Sequence, residues 1–444
     1  MRIHSAASLA SLPSNPGAVD SASWSTRVLD SLSGISDADL DRVTRDATVF
    51  LDRRWLRLLE SVNVSELVRG EIALRYATVS VGGALVALCP FIVTRSPSIY
   101  SHYSLEKFFF TSWQEDLKRM NPGSESWVRW VALAVDGYRR LARLLRTGVE
   151  GLVAAMSPVT YRSGIACSDM PPGDRQRAHE LILGTLQEVS RAENLPLCFY
   201  SVQEDQAEMR ETLVRGGFSE IFRMYDNRID IGFQTFEQYL GQFSGKARRN
   251  HTYEIRNAAR DGFRFERVPC FGQMSAEFEA FYEATYSKYG EEHFLQPASF
   301  WREVERHMGT QAEAIVAYHG AKPVGFSMLF HKGEDLWVYR VGRGPDMSGE
   351  EAPVYFGMIF YEPVKRALEL GCKRIWCGSG AWEVKRRRGA RGVALYDYFW
   401  FPTARSRGLL LPYLSLFARL SQQEMSKVVK VAGGDRSTEG AAKV

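Results

Sequence analysis

Five of the seven side chains from Lys385 to Arg391 are basic: Lys385, Arg386, Arg387, Arg388 and Arg391. The run follows a glycine turn, Gly378-Ser379-Gly380, and is punctuated by Gly389 and Gly392. Cations beside a flexible backbone are suited to holding a phosphate or a developing oxyanion. Lys385 supplies a point charge, and Arg388 and Arg391 supply forked donors that match phosphate oxygens. Gly378, Gly380 and Gly389 let the chain approach a ligand closely. Glu383 is the nearest carboxylate and the candidate proton acceptor. Tyr339 and Arg340 alternate on one strand, so one of them points to each face. Tyr396, in the run LYDYFW, is a candidate hydroxyl donor to a leaving group. The competing readings are a solvated basic loop, packed strand residues and a surface glutamate.

The elements that must position these groups run from Ala312 to Phe401. Glu313–Ala317, Val324–His331 and Leu336–Gly342 read as strands separated by glycine turns, the hairpin signal. A glycine-bearing loop over 342–349 follows, then a helical period from Tyr355 to Leu370 and a strand at Arg374–Cys377. A strand feeding a loop at a helix start is a place for an anion. The spacing of Gly344 and Gly349, and the pair Glu350-Glu351, work against a pyrophosphate there. The anion site is therefore expected one strand later, at Lys385, Arg388 and Arg391.

A second basic group lies on a helix read from Ser244 to Asp261 and stopped by Gly262. Lys246, Arg249, Arg256 and Arg260 share one of its faces with Tyr253. That face suits a polyanion such as an acceptor stem or a phosphorylated carrier; a solvated helix face is the alternative.

The chain has 444 residues, 45% apolar and 12% aromatic, with net charge +4. That is enough for two or three cored domains and excludes wholesale disorder. The six cysteines are scattered without a CxxC, and the eight histidines form no HxH or HExxH, so no metal site is expected. Cys377 sits in a strand and reads as core. No GxSxG elbow appears. The N-terminus has no continuous apolar segment and the chain has no run long enough to span a membrane. A cytoplasmic protein is expected. The basic amphipathic stretch Trp127–Met156 reads as a helix packed over the first domain, with a membrane-surface helix as the second reading. Aromatics at Tyr100–Trp113 read as a packed loop or lid.

The order hairpin, helix, strand, helix, strand occurs twice, which points to a duplicated α/β domain. We expect a flexible segment over 1–35, domains over 36–232 and 233–420, and a disordered tail over 421–444.

The joint GGFSEIFRMYDNRIDI followed by FSGKARRNHTYEIRNAARDGFRFERV resembles that of FemAB-like proteins. The late segment FYEPVKRALELGCKRIWCGSGAWEVKRRRGARG is similar to the family's helix, strand, glycine turn and lysine. The resemblance, to the FemAB/CelD branch of the GNAT acyltransferases, covers about residues 45–420. It implies an α/β (α+β) fold of tandem GNAT-like domains, each a mixed, mostly antiparallel sheet flanked by helices. It implies an amide-forming acyltransferase acting by direct attack of an amine on an activated acyl group, with Lys385 matching the family's late lysine. The first domain would be structural or acceptor-binding and the second catalytic. The donor would be an acyl-CoA, an acyl carrier protein or an aminoacyl-tRNA, with no tightly bound cofactor. The acceptor would be a small-molecule or peptide amine. The alternative is a non-catalytic protein of the same fold that recognises an envelope precursor or a protein partner.

Overall fold

The computed structural model describes residues 23–95, 103–106, 125–160, 162–287, 295–345, 347 and 351–437. In the first half, β1 (Trp24–Leu29) leads to α1 (Asp37–Thr44), α2 (Arg53–Ser61) and α3 (Val64–Leu67). Then come β2 (Ile72–Val81), β3 (Ala84–Thr94), α4 (Glu125–Leu144), β4 (Leu152–Ala155) and β5 (Ala166–Cys167). The half ends with α5 (Pro172–Glu193), β6 (Leu197–Gln203), α6 (Ala207–Arg215) and β7 (Ser219–Asp230). The second half opens with α7 (Phe236–Gly241), α8 (Gly245–Arg260), β8 (Phe263–Val268), α9 (Ser275–Tyr286) and α10 (Ala298–Met308). It continues with β9 (Ala312–His319), β10 (Lys322–Lys332), β11 (Asp335–Arg343) and α11 (Glu351–Phe356), which leads through a π-helical turn (Gly357–Tyr361) into α12 (Glu362–Leu370). β12 (Arg374–Gly378), α13 (Trp382–Arg387), β13 (Arg391–Trp400) and α14 (Ala404–Ser437) complete it.

Local chemistry accounts for many of these elements. Gly82 and Gly83, at φ +58° and +86°, make the two-residue turn between Val81 and Ala84, where right-handed strand twist demands positive φ. Ser36 caps α1 by accepting from Asp39 N, and Ser244 caps α8 by accepting from Ala247 N. On α2 the stripe Trp55, Leu56, Leu58 and Leu59 is buried.

The expected mixed, mostly antiparallel sheet flanked by helices is present, but the two halves share one sheet of thirteen strands. Its order is β1-β2-β3-β4-β6-β13-β7-β12-β11-β10-β9-β8, with β5 pairing β3 off this path. The order is a palindrome about the β13–β7 pair. Along this path each half contributes an edge strand (β1, β8), two antiparallel hairpin strands (β2 and β3, β9 and β10), a parallel pair (β4 with β6, β11 with β12) and one exchanged strand. β13 enters between β6 and β7, and β7 lies against β12. One apolar core reaches from Trp55 and Tyr200 to Trp301, Trp337 and Trp376, across both halves.

Three sequence expectations need correction. Residues 24–29, placed in a flexible segment, form edge strand β1, because their extended backbone completes the ladder with β2. The helix placed over Trp127–Met156 ends at Leu144, and Leu152–Ala155 becomes a buried strand between β3 and β6. The tail expected from 421 continues as helix to Ser437. Of the aromatic stretch Tyr100–Trp113 only 103–106 are described; Tyr103 is buried and its hydroxyl accepts from Val159 N at 3.0 Å.

Because β7 and β13 are exchanged, neither half can close its sheet alone. Calorimetry of the whole chain is expected to show one cooperative unfolding transition, and chains cut at 232/233 are expected to fold only when mixed. Two separate transitions, or a stable isolated half, would contradict the shared sheet.

Candidate active site

The ladder between β11 and β12 lasts three residue pairs, Asp335–Arg374, Leu336–Ile375 and Trp337–Trp376. Beyond these the strands part. β12 carries an irregularity at Cys377 and ends at Gly378, whose φ of +78° turns its carbonyl out of the ladder. That carbonyl accepts from Asn227 Nδ2 at 2.6 Å and from Lys385 Nζ at 3.0 Å. Asn227 comes from the exchanged strand β7 and is fully buried. Lys385 comes from α13 and is 6% exposed.

An ammonium has three donors and needs a counter-charge or several acceptors when buried. Among the described residues Lys385 has one acceptor and no carboxylate partner. Burial pushes its pKa down from 10.5 to about 8, with the Cys377 thiol opposing weakly. Two N–H groups are left to meet a ligand oxygen. Burial pushes the Cys377 thiol up to about 12, so it is not a nucleophile at neutral pH.

The other anticipated residues are distributed differently. Glu383 projects outward and pairs with Arg387, because two residues along a helix from Lys385 is nearly the opposite face. Arg388 is buried rather than offered to a phosphate. It donates to Glu254 Oε1 at 2.8 Å and to Val384 O at 3.1 Å, and lies 3.3 Å over the Phe356 ring. Arg391 is half exposed and paired with Asp230. The run expected to be a loop is partly helix α13, which separates these cations onto different sides. Gly380 is open, whereas Gly389, at φ +88°, lies against Phe243.

Tyr339 and Arg340 grip the first half rather than face an open site. The Tyr339 hydroxyl donates to Val159 O at 3.2 Å, and Arg340 Nη2 reaches the same carbonyl at 3.1 Å. Val159 holds φ +61°, a strained setting for a β-branched residue. Tyr396 lies under Arg210 of α6 and against Phe222, in the first half and away from the Lys385 contacts. On α8, Lys246, Arg249 and Arg256 are exposed and have no ion-pair partner among the described residues, while Arg260 pairs with Asp261 at 2.9 Å. Of the loop over 342–349, residues 346, 348 and 349 lie outside the described residues, and Gly342 and Arg343 belong to the end of β11.

Sequence reasoning missed a polar layer at the seam. Trp337 and Trp376 stack at 4.9 Å, and Arg162 lies over both, at 4.8 and 5.2 Å, with Asp226 as its ion-pair partner. Arg228 covers Trp376 and pairs with Asp205 at 2.9 Å and Asp230 at 2.8 Å. On the first-half side Asp397 accepts from Ser201 N at 2.9 Å, and burial raises its pKa to about 6. The signal available was the polar triplet Asp226-Asn227-Arg228 in the middle of strand β7. A cleft of about 550 Å³ opens in the first half between the starts of α5 and α6, lined by Arg175, His179, Asp205 and Glu208 among others. It reaches the seam through the Asp205–Arg228 pair, not through Lys385.

A family profile described as FemAB-like, peptidoglycan biosynthesis/recognition, matches residues 153–432, well over half of the chain. The chain belongs to the FemAB-like family. No curated protein matches its sequence. Among solved structures, FemX superposes with a TM-score of 0.50 at 11% identity, covering 83% of this FemAB-like chain and 96% of FemX. A tandem GNAT protein from the clavulanic acid biosynthesis pathway gives 0.41 at 11% identity over 86% of this chain and 99% of that one. L-PGS from Bacillus licheniformis gives 0.41 at 12% over 61% and 82%. The likeness to FemX is one of fold.

Lys385 sheds its proton in the folded state before the unfolded state does. The penalty for burying its charge is complete below pH 8 and is regained as pH rises from about 8 to 10.5. Lys385→Met is expected to stabilise the fold by up to about 3 kcal/mol at pH 7. In urea titrations that gain is expected to shrink toward zero near pH 10.5. A pH-independent difference would contradict the buried charge.

Proposed function

We propose that this FemAB-like protein is a transferase that joins an activated acyl or aminoacyl group to an amine. The observation that carries the reading is Lys385, a buried ammonium with unmatched donors at the point where two strands part. Family membership and the fold shared with FemX support the class of reaction. The amine nitrogen attacks the acyl carbon and the C–N bond forms. The carbonyl oxygen becomes an oxyanion, and the bond to the donor oxygen or sulfur then breaks. The nitrogen's proton leaves with the departing group. Lys385, protonated below pH 8, holds the oxyanion or a donor phosphate in a water-poor site where such a contact is strong.

The donor is a phosphate-bearing carrier: an aminoacyl-tRNA, an acyl-CoA or an acyl carrier protein. The exposed face of α8 favours the larger, polyanionic carriers. Its inner face supports the same reading, because Glu254 is bonded to Arg388 and to the Tyr361 hydroxyl, tying α8 to the end of α13. The first half is the acceptor side in this reading: its cleft carries Asp46 and Asp169, two carboxylates without ion-pair partners among the described residues, which suit an amine-bearing molecule. A recognition role without catalysis is the second reading; it is favoured by the lack, among the described residues, of a carboxylate bonded to Lys385.

The test is a transfer assay with labelled aminoacyl-tRNA, acyl-CoA and acyl carrier protein against a panel of amines. Lys385→Gln is expected to slow turnover about 10²–10³-fold, whereas Glu383→Gln leaves it unchanged. Activity is expected to fall as pH rises above about 8, where Lys385 loses its proton. Full activity in the Lys385→Gln protein would remove the catalytic assignment. Charge reversal at Lys246, Arg249 and Arg256 is expected to raise KM for a tRNA donor and to flatten its salt dependence.

A further inference from the structure

Four of the seven large apolar side chains most exposed among the described residues lie on two neighbouring helices. On α4 these are Leu133, Leu141 and Leu144, at 65%, 41% and 79% exposure; on α14 it is Leu416, at 52%. The other three, Val28, Val214 and Tyr253, are scattered over other elements.

The three leucines of α4 fall with Gly137 and Arg140 at spacings i, i+4, i+7, i+8 and i+11, so they form one stripe. The opposite face of α4 packs inward through Val135 and Ala142. Its flank packs on α14: the Tyr138 ring stacks on Tyr413 at 5.5 Å and its hydroxyl donates to Leu409 O. Arg405 Nη1 reaches Leu145 O at 3.5 Å, so α14 runs antiparallel to α4 and brings Leu416 level with the turn of Leu133. The core does not need this stripe, and an apolar patch of this kind marks an interaction surface.

The charge around the stripe identifies what it meets. Asp136 is held by Arg139 and by Arg140, the latter at 2.8 Å, and Glu106 is held by Arg143. Arg146, Arg405 and Arg419 are exposed and have no carboxylate partner among the described residues. A second copy of the same face would bring these cations together, which disfavours a symmetric dimer through it. Leucines flanked by unpaired arginines on helices lying flat match the interface of an anionic bilayer, where the apolar chains enter the acyl boundary and the cations meet headgroups. No described helix is long and apolar enough to cross a membrane, so the contact is peripheral.

We propose that the face formed by α4 and α14 docks the protein on an anionic lipid bilayer. The placement is independent of the chemistry assigned to Lys385.

The experiment is co-sedimentation of the full chain with phosphatidylcholine vesicles, with and without phosphatidylglycerol. Binding is expected only to the anionic vesicles, and it is expected to weaken with added salt. Leu141→Glu with Leu144→Glu is expected to weaken partitioning roughly tenfold. Arg146→Glu with Arg419→Glu is expected to act similarly, while circular dichroism melts and the oligomeric state stay as in the parent. Equal binding to both vesicle types, no binding at low salt, or binding indifferent to both pairs of substitutions would overturn the proposal. So would a dimer, seen by light scattering, that the leucine substitutions dissolve.

Discussion

The reciprocal exchange of β7 and β13 is the constraint on which the rest of this structure depends. Each half leaves its sheet one strand short and fills the gap with the last strand of the other. The halves are thereby joined by backbone hydrogen bonds as well as by the side-chain core that crosses between them. The exchange also decides which polar side chains reach the places where the parallel pairs part. Asn227 on β7 reaches the Gly378 carbonyl of β12, and Asp397 on β13 reaches the Ser201 amide of β6. Both contacts cross from one half of the sequence to the other.

A buried charge tolerates the interior only when it is paired and hydrogen-bonded. The seam satisfies this rule at Arg162 with Asp226, at Arg228 with Asp205 and Asp230, and at Arg388 with Glu254. These pairs lock layers together and leave little for a ligand. Lys385 is treated differently. Its one carbonyl is shared with Asn227, and its lowered pKa corresponds to a penalty of about 3 kcal/mol that the fold carries at neutral pH. Such a state is what the proposed contact with an oxyanion or a donor phosphate calls for.

Much of this was legible in the residues. Glycine turns placed the hairpins of β9, β10 and β11, Ser244 placed a helix start, and the 3–4 spacing on α8 placed its cations on one exposed face. Family resemblance marked Lys385. The sequence was silent where the outcome is set by contacts distant along the chain. Strand exchange leaves no local mark, since β7 reads as an ordinary strand whichever neighbours it takes. Arg388 looked like a ligand-binding cation because its partner Glu254 lies 134 residues away. Tyr339 and Arg340 read from the sequence as alternating on one strand, and they do lie on β11, but the Val159 carbonyl that occupies them belongs to the other half.

The most direct measurement is the titration of the Lys385 side chain itself, followed by NMR of protein labelled at lysine and assigned by comparison with Lys385→Arg. The account requires a midpoint near 8, set by burial against the Gly378 carbonyl. A midpoint at the ordinary lysine value of 10.5 would mean that the ammonium is solvated, and the site built around it would fall.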